Sequence, residues 1–147
     1  MSDKATEKMV MRASPDRLYD TVLDFERYPS WAADIKQVTV VERDDEGRGT
    51  LVSWRAAAFG RSTTYTLRYD YSGAPQVVSW VLDHGDITSK LDGTYTFESA
   101  GVDSTEVTYV LEVELKIPLP GFVKRRAEGR IISTALKELK ARVEAGA

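Results

Sequence analysis

The stretch PLPGFVKRRAEGRIISTALKELKARV, residues 118–143, decides which fold this chain adopts. The two prolines and the glycine at its start cannot continue a strand, and no further proline interrupts the residues that follow. The stretch therefore predicts a helix over residues 121–143, about 35 Å long at 1.5 Å per residue, which is enough to cross a small domain. At about 100° per residue, its apolar side chains share one stripe: Phe122, Ile132, Leu136, Leu139 and Val143.

Two residues on the same stripe do not suit a packed core. The projection places Arg125 and Gly129 there, although a glycine inside a helix costs about 1 kcal/mol relative to alanine and a buried arginine needs a partner. In one interpretation, Arg125 extends its charge to water and Gly129 allows close helix packing. In the other, this end of the stripe faces a cavity, and both residues contact a ligand.

Composition narrows the class of protein and the kinds of site. A chain of 147 residues suits one domain, residues 1–147, with a proper core. The absence of cysteine excludes disulfides and thiolate chemistry, and the single histidine, His84, excludes any site that needs two imidazoles. No metal or other cofactor is expected. His84 lies beside a predicted turn, where we expect it to be exposed and dispensable.

The charge and hydropathy of the chain indicate which partners the protein can bind and where in the cell it is expected. The net charge is −3, and basic residues concentrate in the last stretch while the rest of the chain is acidic, so nucleic-acid binding is not expected. The basic face of the last helix is either ordinary solvated surface or a peripheral contact with a membrane or a protein partner. Without an apolar run long enough to span a bilayer or a signal peptide, the expected location is cytoplasmic. Both a monomer and a homodimer are compatible with the sequence.

The rest of the chain predicts one strand, two short helices and six further strands. A strand over residues 6–13 precedes Ser14-Pro15-Asp16, a helix start with a serine cap. A second, shorter helix is expected from Trp31. Strands follow from residue 35, one of them over 51–59, and Asp92-Gly93 is expected to form a bulge or bend. The predicted class is α+β, with a seven-stranded antiparallel sheet, two short helices after strand 1 and a long helix at the end.

A sheet this wide must curl around its one long helix, and a curled sheet with a single helix across its mouth tends to leave a cavity. Alternation places Tyr65 and Tyr69 on one face of their strand, and Tyr95 and Tyr109 on the inward faces of two others. Buried tyrosine hydroxyls need partners, so an aromatic interior of this kind suits a moderately polar organic ligand. The phase of Arg55 allows it to face either inward or outward.

The element order, together with Ser14-Pro15, Asp24-Phe25, Tyr28-Pro29 and Trp31, resembles the START/Bet v 1-like (SRPBCC) superfamily. The segments LDGTYTF (91–97) and PLPGF (118–122) are similar to those of its bacterial polyketide cyclase/dehydrase and coenzyme Q-binding type of family. The resemblance implies a helix-grip fold, in which the curved sheet wraps around the C-terminal helix. It also implies a cavity for lipids, quinones or polyketides, which a few members cyclise or dehydrate.

The sequence shows no acid–base pair aimed at a cavity, no phosphate loop and no nucleophile elbow. We therefore expect binding of a hydrophobic or amphipathic small molecule by a carrier, sensor or chaperone. The alternative is a metal-independent polyketide cyclase or dehydratase that acts in the same cavity. No catalytic residue can be named. The residues expected to bind the ligand are aromatic, basic or on the helix stripe: Trp31, Arg55, Tyr65, Tyr69, Trp80, Tyr95, Tyr109, Arg125, Gly129 and Ile132.

Overall fold

The computed structural model describes residues 3–58 and 60–145. Phe59, where a strand was expected to end, lies outside the described residues. The strands are β1 (Asp3–Met11), β2 (Ile35–Arg43), β3 (Gly49–Ala58), β4 (Arg61–Asp70), β5 (Val77–Gly85), β6 (Thr88–Gly101) and β7 (Ser104–Leu115). The helices are α1 (Pro15–Leu23), a 3₁₀ helix (Phe25–Ser30) and the long helix α2 (Gly121–Glu144). No helix among these residues is long and apolar enough to cross a membrane.

The two short helices connect β1 to β2. Ser14 caps α1 as predicted, because its hydroxyl accepts a hydrogen bond from the Arg17 backbone N–H at 3.2 Å and proline occupies the first helical position. The second short helix ends before Trp31 instead of beginning there, so that prediction was wrong. The Tyr28 carbonyl ends it by accepting from the backbone N–H groups of Trp31 at 3.1 Å and Ala32 at 2.8 Å.

All seven strands form one antiparallel sheet in the order β1-β7-β6-β5-β4-β3-β2. The sheet wraps around α2, which packs against β1 and β7. This confirms the predicted helix-grip architecture. The apolar residues that α2 buries are Ile132, Leu136, Leu139 and Val143, and they join one core with residues of α1, the 3₁₀ helix and the sheet. Phe122, predicted on the same stripe, is 64% exposed and does not join this core.

The predicted bulge at Asp92-Gly93 is not present. β6 runs through these residues, and its register with β7 is regular from Lys90 to Ser99. The pairing of β6 with β5, however, ends at the Trp80–Gly93 pair. Just beyond it, the Asp92 side chain accepts a hydrogen bond from the Leu82 backbone N–H at 3.0 Å. A side chain thus replaces the backbone ladder where β5 and β6 diverge.

Candidate functional site

A cavity of about 190 Å³ lies between the concave face of the sheet and α2. Its wall combines the 3₁₀ helix and the segment that follows it, strands β3 to β7, and one side of α2. The lining is predominantly apolar and aromatic, as in most small-molecule sites. The wall includes Tyr28, Trp31, Asp34, Trp54, Ala57, Tyr65, Tyr69, Trp80, Thr88, Tyr95, Tyr109, Ile131, Thr134, Ala135 and Glu138.

Aromatic rings form a continuous wall around this space. Trp54 stacks on Tyr65 with centroids 6.4 Å apart and meets the edge of Tyr28 at 4.8 Å. On the neighbouring strands, Trp80 lies 5.7 Å from Tyr69 and 5.6 Å from Tyr95. All three tryptophans of the sequence, Trp31 included, line the cavity. Such interlocked rings hold one another in place and present flat apolar surfaces to a ligand.

A glycine sets the position of the Trp80 indole. Gly93 is its direct cross-strand neighbour on β6, and the indole lies over the glycine backbone. A Cβ at position 93 would lie 2.6 Å from Trp80 Cε2 and closer still to Cζ2. Only the absence of a side chain at Gly93 therefore allows the indole to take this place on the cavity wall.

Six of the seven tyrosines, all except Tyr19, divide into two groups by their hydrogen bonds. The Tyr28 hydroxyl donates to the Val22 carbonyl at 2.7 Å, and the Tyr71 hydroxyl donates to the Gly49 carbonyl. Within the part of the chain that the structure describes, four other hydroxyls have no protein partner: those of Tyr65, Tyr69, Tyr95 and Tyr109. Burial raises the pKa of all four well above that of a free phenol, so they remain protonated hydrogen-bond donors.

Two more polar atoms on the wall are fully buried without a described hydrogen-bond partner: Trp54 Nε1 and Thr88 Oγ1. Thr88 packs directly over Gly85, which is the cross-strand neighbour of Tyr65. Tyr65 in turn pairs with Trp54 on β3. These side chains thus form a row across adjacent strands. Alternation alone had left the direction of Trp54 open, and nothing in the sequence pointed to Thr88.

The cavity opens between the segment after the 3₁₀ helix and the middle of α2. Asp34 and Ala57 are the exposed members of its lining, so they mark the entrance. The Glu138 carboxylate accepts a hydrogen bond from the Ala33 backbone N–H at 3.0 Å and so ties α2 to this segment. The Ala57 backbone N–H donates to the Asp34 carbonyl at 2.8 Å and ties β3 to the same segment. Two hydrogen bonds therefore frame the mouth.

The structure brings six of the ten sequence-predicted residues to the cavity wall: Trp31, Tyr65, Tyr69, Trp80, Tyr95 and Tyr109. Their role in binding remains a prediction. Arg55 lies on the outer face of β3, exposed, with its Nε 3.4 Å from the Ser62 hydroxyl. Of the two directions that the sequence allowed for Arg55, the structure has the outward one, because Val52 and Trp54 take the inward positions of that strand.

The structure places the three α2 residues that were expected to bind the ligand away from the cavity wall. Arg125 and Gly129 are exposed, and a Cβ at Gly129 would meet nothing within 4 Å. Ile132 is packed in the core. The reason is that the cavity lies beside the core stripe of α2, not along it. The residues that α2 turns toward the cavity recur at helical spacing on that neighbouring side: Ile131, Thr134, Ala135 and Glu138.

Among the described residues, no charged group that could act as acid or base lines the interior of the cavity. Among the described residues, the wall contains no lysine, arginine or histidine, and its two carboxylates, Asp34 and Glu138, stand at the mouth. The His84 side chain is 73% exposed, as expected, with its Nδ1 2.7 Å from the Asp83 carboxylate. This hydrogen bond lowers the pKa of Asp83. The described residues contain no His/Asp/Glu group arranged for a metal ion.

The exposed start of α2 combines apolar and basic side chains. Phe122 is 64% and Val123 37% exposed, and three arginines, Arg125, Arg126 and Arg130, are exposed near them. Phe122, Arg126 and Arg130 follow one another at a spacing of four residues, so they share one side of the helix. The basic face expected from the sequence therefore begins with an unpacked aromatic ring.

A family model described as polyketide cyclase / dehydrase and lipid transport matches residues 11–140. The chain belongs to this family. A START superfamily protein from Mycobacterium smegmatis is 27% identical over 97% of both chains, with a TM-score of 0.91. Zhui aromatase/cyclase from Streptomyces sp. R1128 has a TM-score of 0.85 at 13% identity, over 98% of this chain and 94% of that one.

A third solved structure, TTHA0849 from Thermus thermophilus, has a TM-score of 0.80 at 23% identity over 99% of both chains. At these lower identities, the aromatase/cyclase and the Thermus protein show a common fold alone. No curated protein matches the sequence. Together the comparisons confirm the START/Bet v 1-like superfamily that the sequence motifs resemble.

Proposed function

We propose that residues 1–147 form one ligand-binding domain that holds a hydrophobic or amphipathic small molecule in the cavity between sheet and α2. The observation that carries this proposal is the aromatic wall with unpaired phenol hydroxyls and, among the described residues, no basic side chain. Such a wall favours apolar rings that carry a few neutral polar groups. The family description, which joins cyclase/dehydrase and lipid transport, supports the same class of ligand.

The size of the cavity limits the ligand. An apolar cavity of about 150 Å³ in another protein binds benzene, and typical drug-sized sites have about 300–1,000 Å³. The 190 Å³ found here therefore suits one or two rings. A longer lipid, quinone or polyketide would place its ring or head in the cavity and extend its remainder through the mouth at Asp34 and Ala57.

The arrangement favours binding over catalysis. Cyclisation or dehydration of a polyketide needs a base to remove a proton and a donor or cation to stabilise the enolate. The wall supplies neutral donors, but its carboxylates are at the mouth, and one of them, Glu138, is already hydrogen-bonded to Ala33. We therefore assign the domain to a carrier, sensor or chaperone. The alternative is a cyclase or dehydratase, and the first half of the family description supports it.

Native mass spectrometry of freshly purified protein and tryptophan fluorescence test this proposal. Because Trp31, Trp54 and Trp80 all line the cavity, a bound ring should change the emission of the whole protein. We expect a retained compound, or saturable binding of a two-ring hydrocarbon such as tetralin. Failure of both measurements would contradict the proposal. Conversion of a poly-β-ketone intermediate into a cyclised product would make the protein an enzyme.

We also propose that the exposed start of α2 contacts anionic membrane surfaces during ligand exchange. Phe122 offers an apolar side chain for insertion, and Arg125, Arg126 and Arg130 offer charge that attracts anionic lipid. We expect the protein to sediment with vesicles that contain phosphatidylglycerol, and not with vesicles of phosphatidylcholine alone. Arg126→Glu combined with Arg130→Glu should abolish the sedimentation and leave tetralin affinity unchanged. Equal sedimentation with both vesicles would exclude the charge-based contact.

A further inference from the structure

Tyr95 and Tyr109 stand side by side on the cavity wall. They are direct cross-strand neighbours on β6 and β7, with ring centroids 4.5 Å apart. Both residues are 7% exposed and line the cavity. Neither hydroxyl has a hydrogen-bond partner among the residues that the structure describes. Buried polar groups are nearly always paired, so two adjacent unpaired donors at a cavity indicate an acceptor that comes from outside the chain.

We infer that Tyr95 and Tyr109 together bind one carbonyl oxygen of a compact ring ligand, an inference that rests on the proposed binding function. A carbonyl oxygen has two lone pairs in the plane of its substituents, so it can accept from two donors at once. Two phenols that project from neighbouring strands of one rigid sheet supply such a pair. The Trp80 indole, 5.9 Å from Tyr109 and 5.6 Å from Tyr95, provides a flat apolar surface beside them for the ring.

The same wall selects against an anionic ligand. A carboxylate in this cavity would lose its hydration without gaining a positive partner, because the wall has no lysine, arginine or histidine among the described residues. The phenols cannot supply a charge balance of their own. Their pKa values are raised by burial, so both remain neutral donors near neutral pH. The chemistry that fits is a neutral ketone or quinone carbonyl on a one- or two-ring skeleton.

Three matched probes separate these features: tetralin, 1-tetralone and tetrahydro-1-naphthoate. They have the same two-ring skeleton and differ in carrying no oxygen, a ketone or a carboxylate. Tryptophan fluorescence titration at neutral pH gives the affinity of each. We expect 1-tetralone to bind about tenfold or more tightly than tetralin, since each net hydrogen bond contributes a few-fold. The carboxylate should bind more weakly than the ketone.

Variants that remove one hydroxyl at a time test the pair directly. Tyr95→Phe and Tyr109→Phe should each lower the ratio of the 1-tetralone affinity to the tetralin affinity about three- to tenfold. In the double variant, the affinities for 1-tetralone and tetralin should be nearly equal. The melting temperatures of the ligand-free variants should stay equal or rise, because each change removes an unpaired buried hydroxyl. Tyr71→Phe is the control, because the Tyr71 hydroxyl is bonded to the Gly49 carbonyl outside the cavity wall. This variant should keep the wild-type ratio of the 1-tetralone affinity to the tetralin affinity.

The outcomes distinguish this inference from the function on which it rests. If tetralin binds but 1-tetralone binds no more tightly, or if the ratio is unchanged in both tyrosine variants, the carbonyl site is overturned and the apolar binding function stands. A carboxylate that binds more tightly than the ketone overturns the preference for a neutral ligand. If none of the three probes binds and no compound is retained in native mass spectrometry, both proposals fall.

Discussion

Replacing Leu136 with alanine should lower the free energy of unfolding by about 2–5 kcal/mol, the usual cost of truncating a fully buried leucine. Leu136 is 0% exposed and packs in the core where α2 meets the sheet. Because the core and the cavity lie on different sides of α2, the folded variant should keep its affinity for tetralin within about threefold. Urea denaturation gives the stability, and fluorescence titration gives the affinity.

The preceding residue on the same helix is the matched comparison. Ala135 is half-buried and lines the cavity, so Ala135→Leu adds volume where the ligand should lie. We expect the free energy of unfolding to change by less than about 1 kcal/mol, since leucine is a good helix former and open space is available. Tetralin affinity should fall at least tenfold, which is about 1.4 kcal/mol. A stable Leu136→Ala, or an Ala135→Leu variant with normal affinity, would contradict the division of α2 into a core side and a cavity side.

Gly93→Ala should destabilise the protein by about 1–3 kcal/mol, as overpacking of a core does, and should also reduce ligand binding. Alanine normally makes the folded state about 0.5–1 kcal/mol more stable than glycine does within a strand. Here its methyl group would overlap the Trp80 indole, with Cε2 at 2.6 Å, and would force the ring into the cavity. Thermal melting and the change in tryptophan emission on adding tetralin measure the two effects.

Gly129→Ala is the control for this substitution, and we expect it to stabilise the protein instead of destabilising it. A Cβ at Gly129 would meet no atom within 4 Å, and the residue is exposed inside a helix. The free energy of unfolding should therefore rise by about 1 kcal/mol or less, with no effect on tetralin affinity. If Gly93→Ala were neutral, or if Gly129→Ala reduced binding, the assigned positions of the two glycines would be wrong.

Local patterns in the sequence were sufficient to predict most of the fold. Ser14 and Pro15 mark the start of α1, because a capping hydroxyl and a proline suit a helix N-terminus whatever the surroundings. Strict alternation in β4 and β7 assigned Tyr65, Tyr69 and Tyr109 to the concave face. Successive side chains on a strand point to opposite faces, so one correct residue determines the others. The apolar stripe of α2 likewise identified Leu136, Leu139 and Val143 as core.

The tertiary structure alone decided where the core ends and the cavity begins. A helical stripe shows which side of α2 is apolar, but it does not show how far the sheet extends beneath it. Gly129 and Arg125 therefore fit the stripe and are nevertheless exposed. Whether Arg55 or Trp54 faces inward depended on the pairing of β3 with β4, a contact between strands that no local pattern encodes. That the hydroxyls of Tyr95 and Tyr109 have no partner among the described residues depends on where the neighbouring acceptors lie in the folded chain.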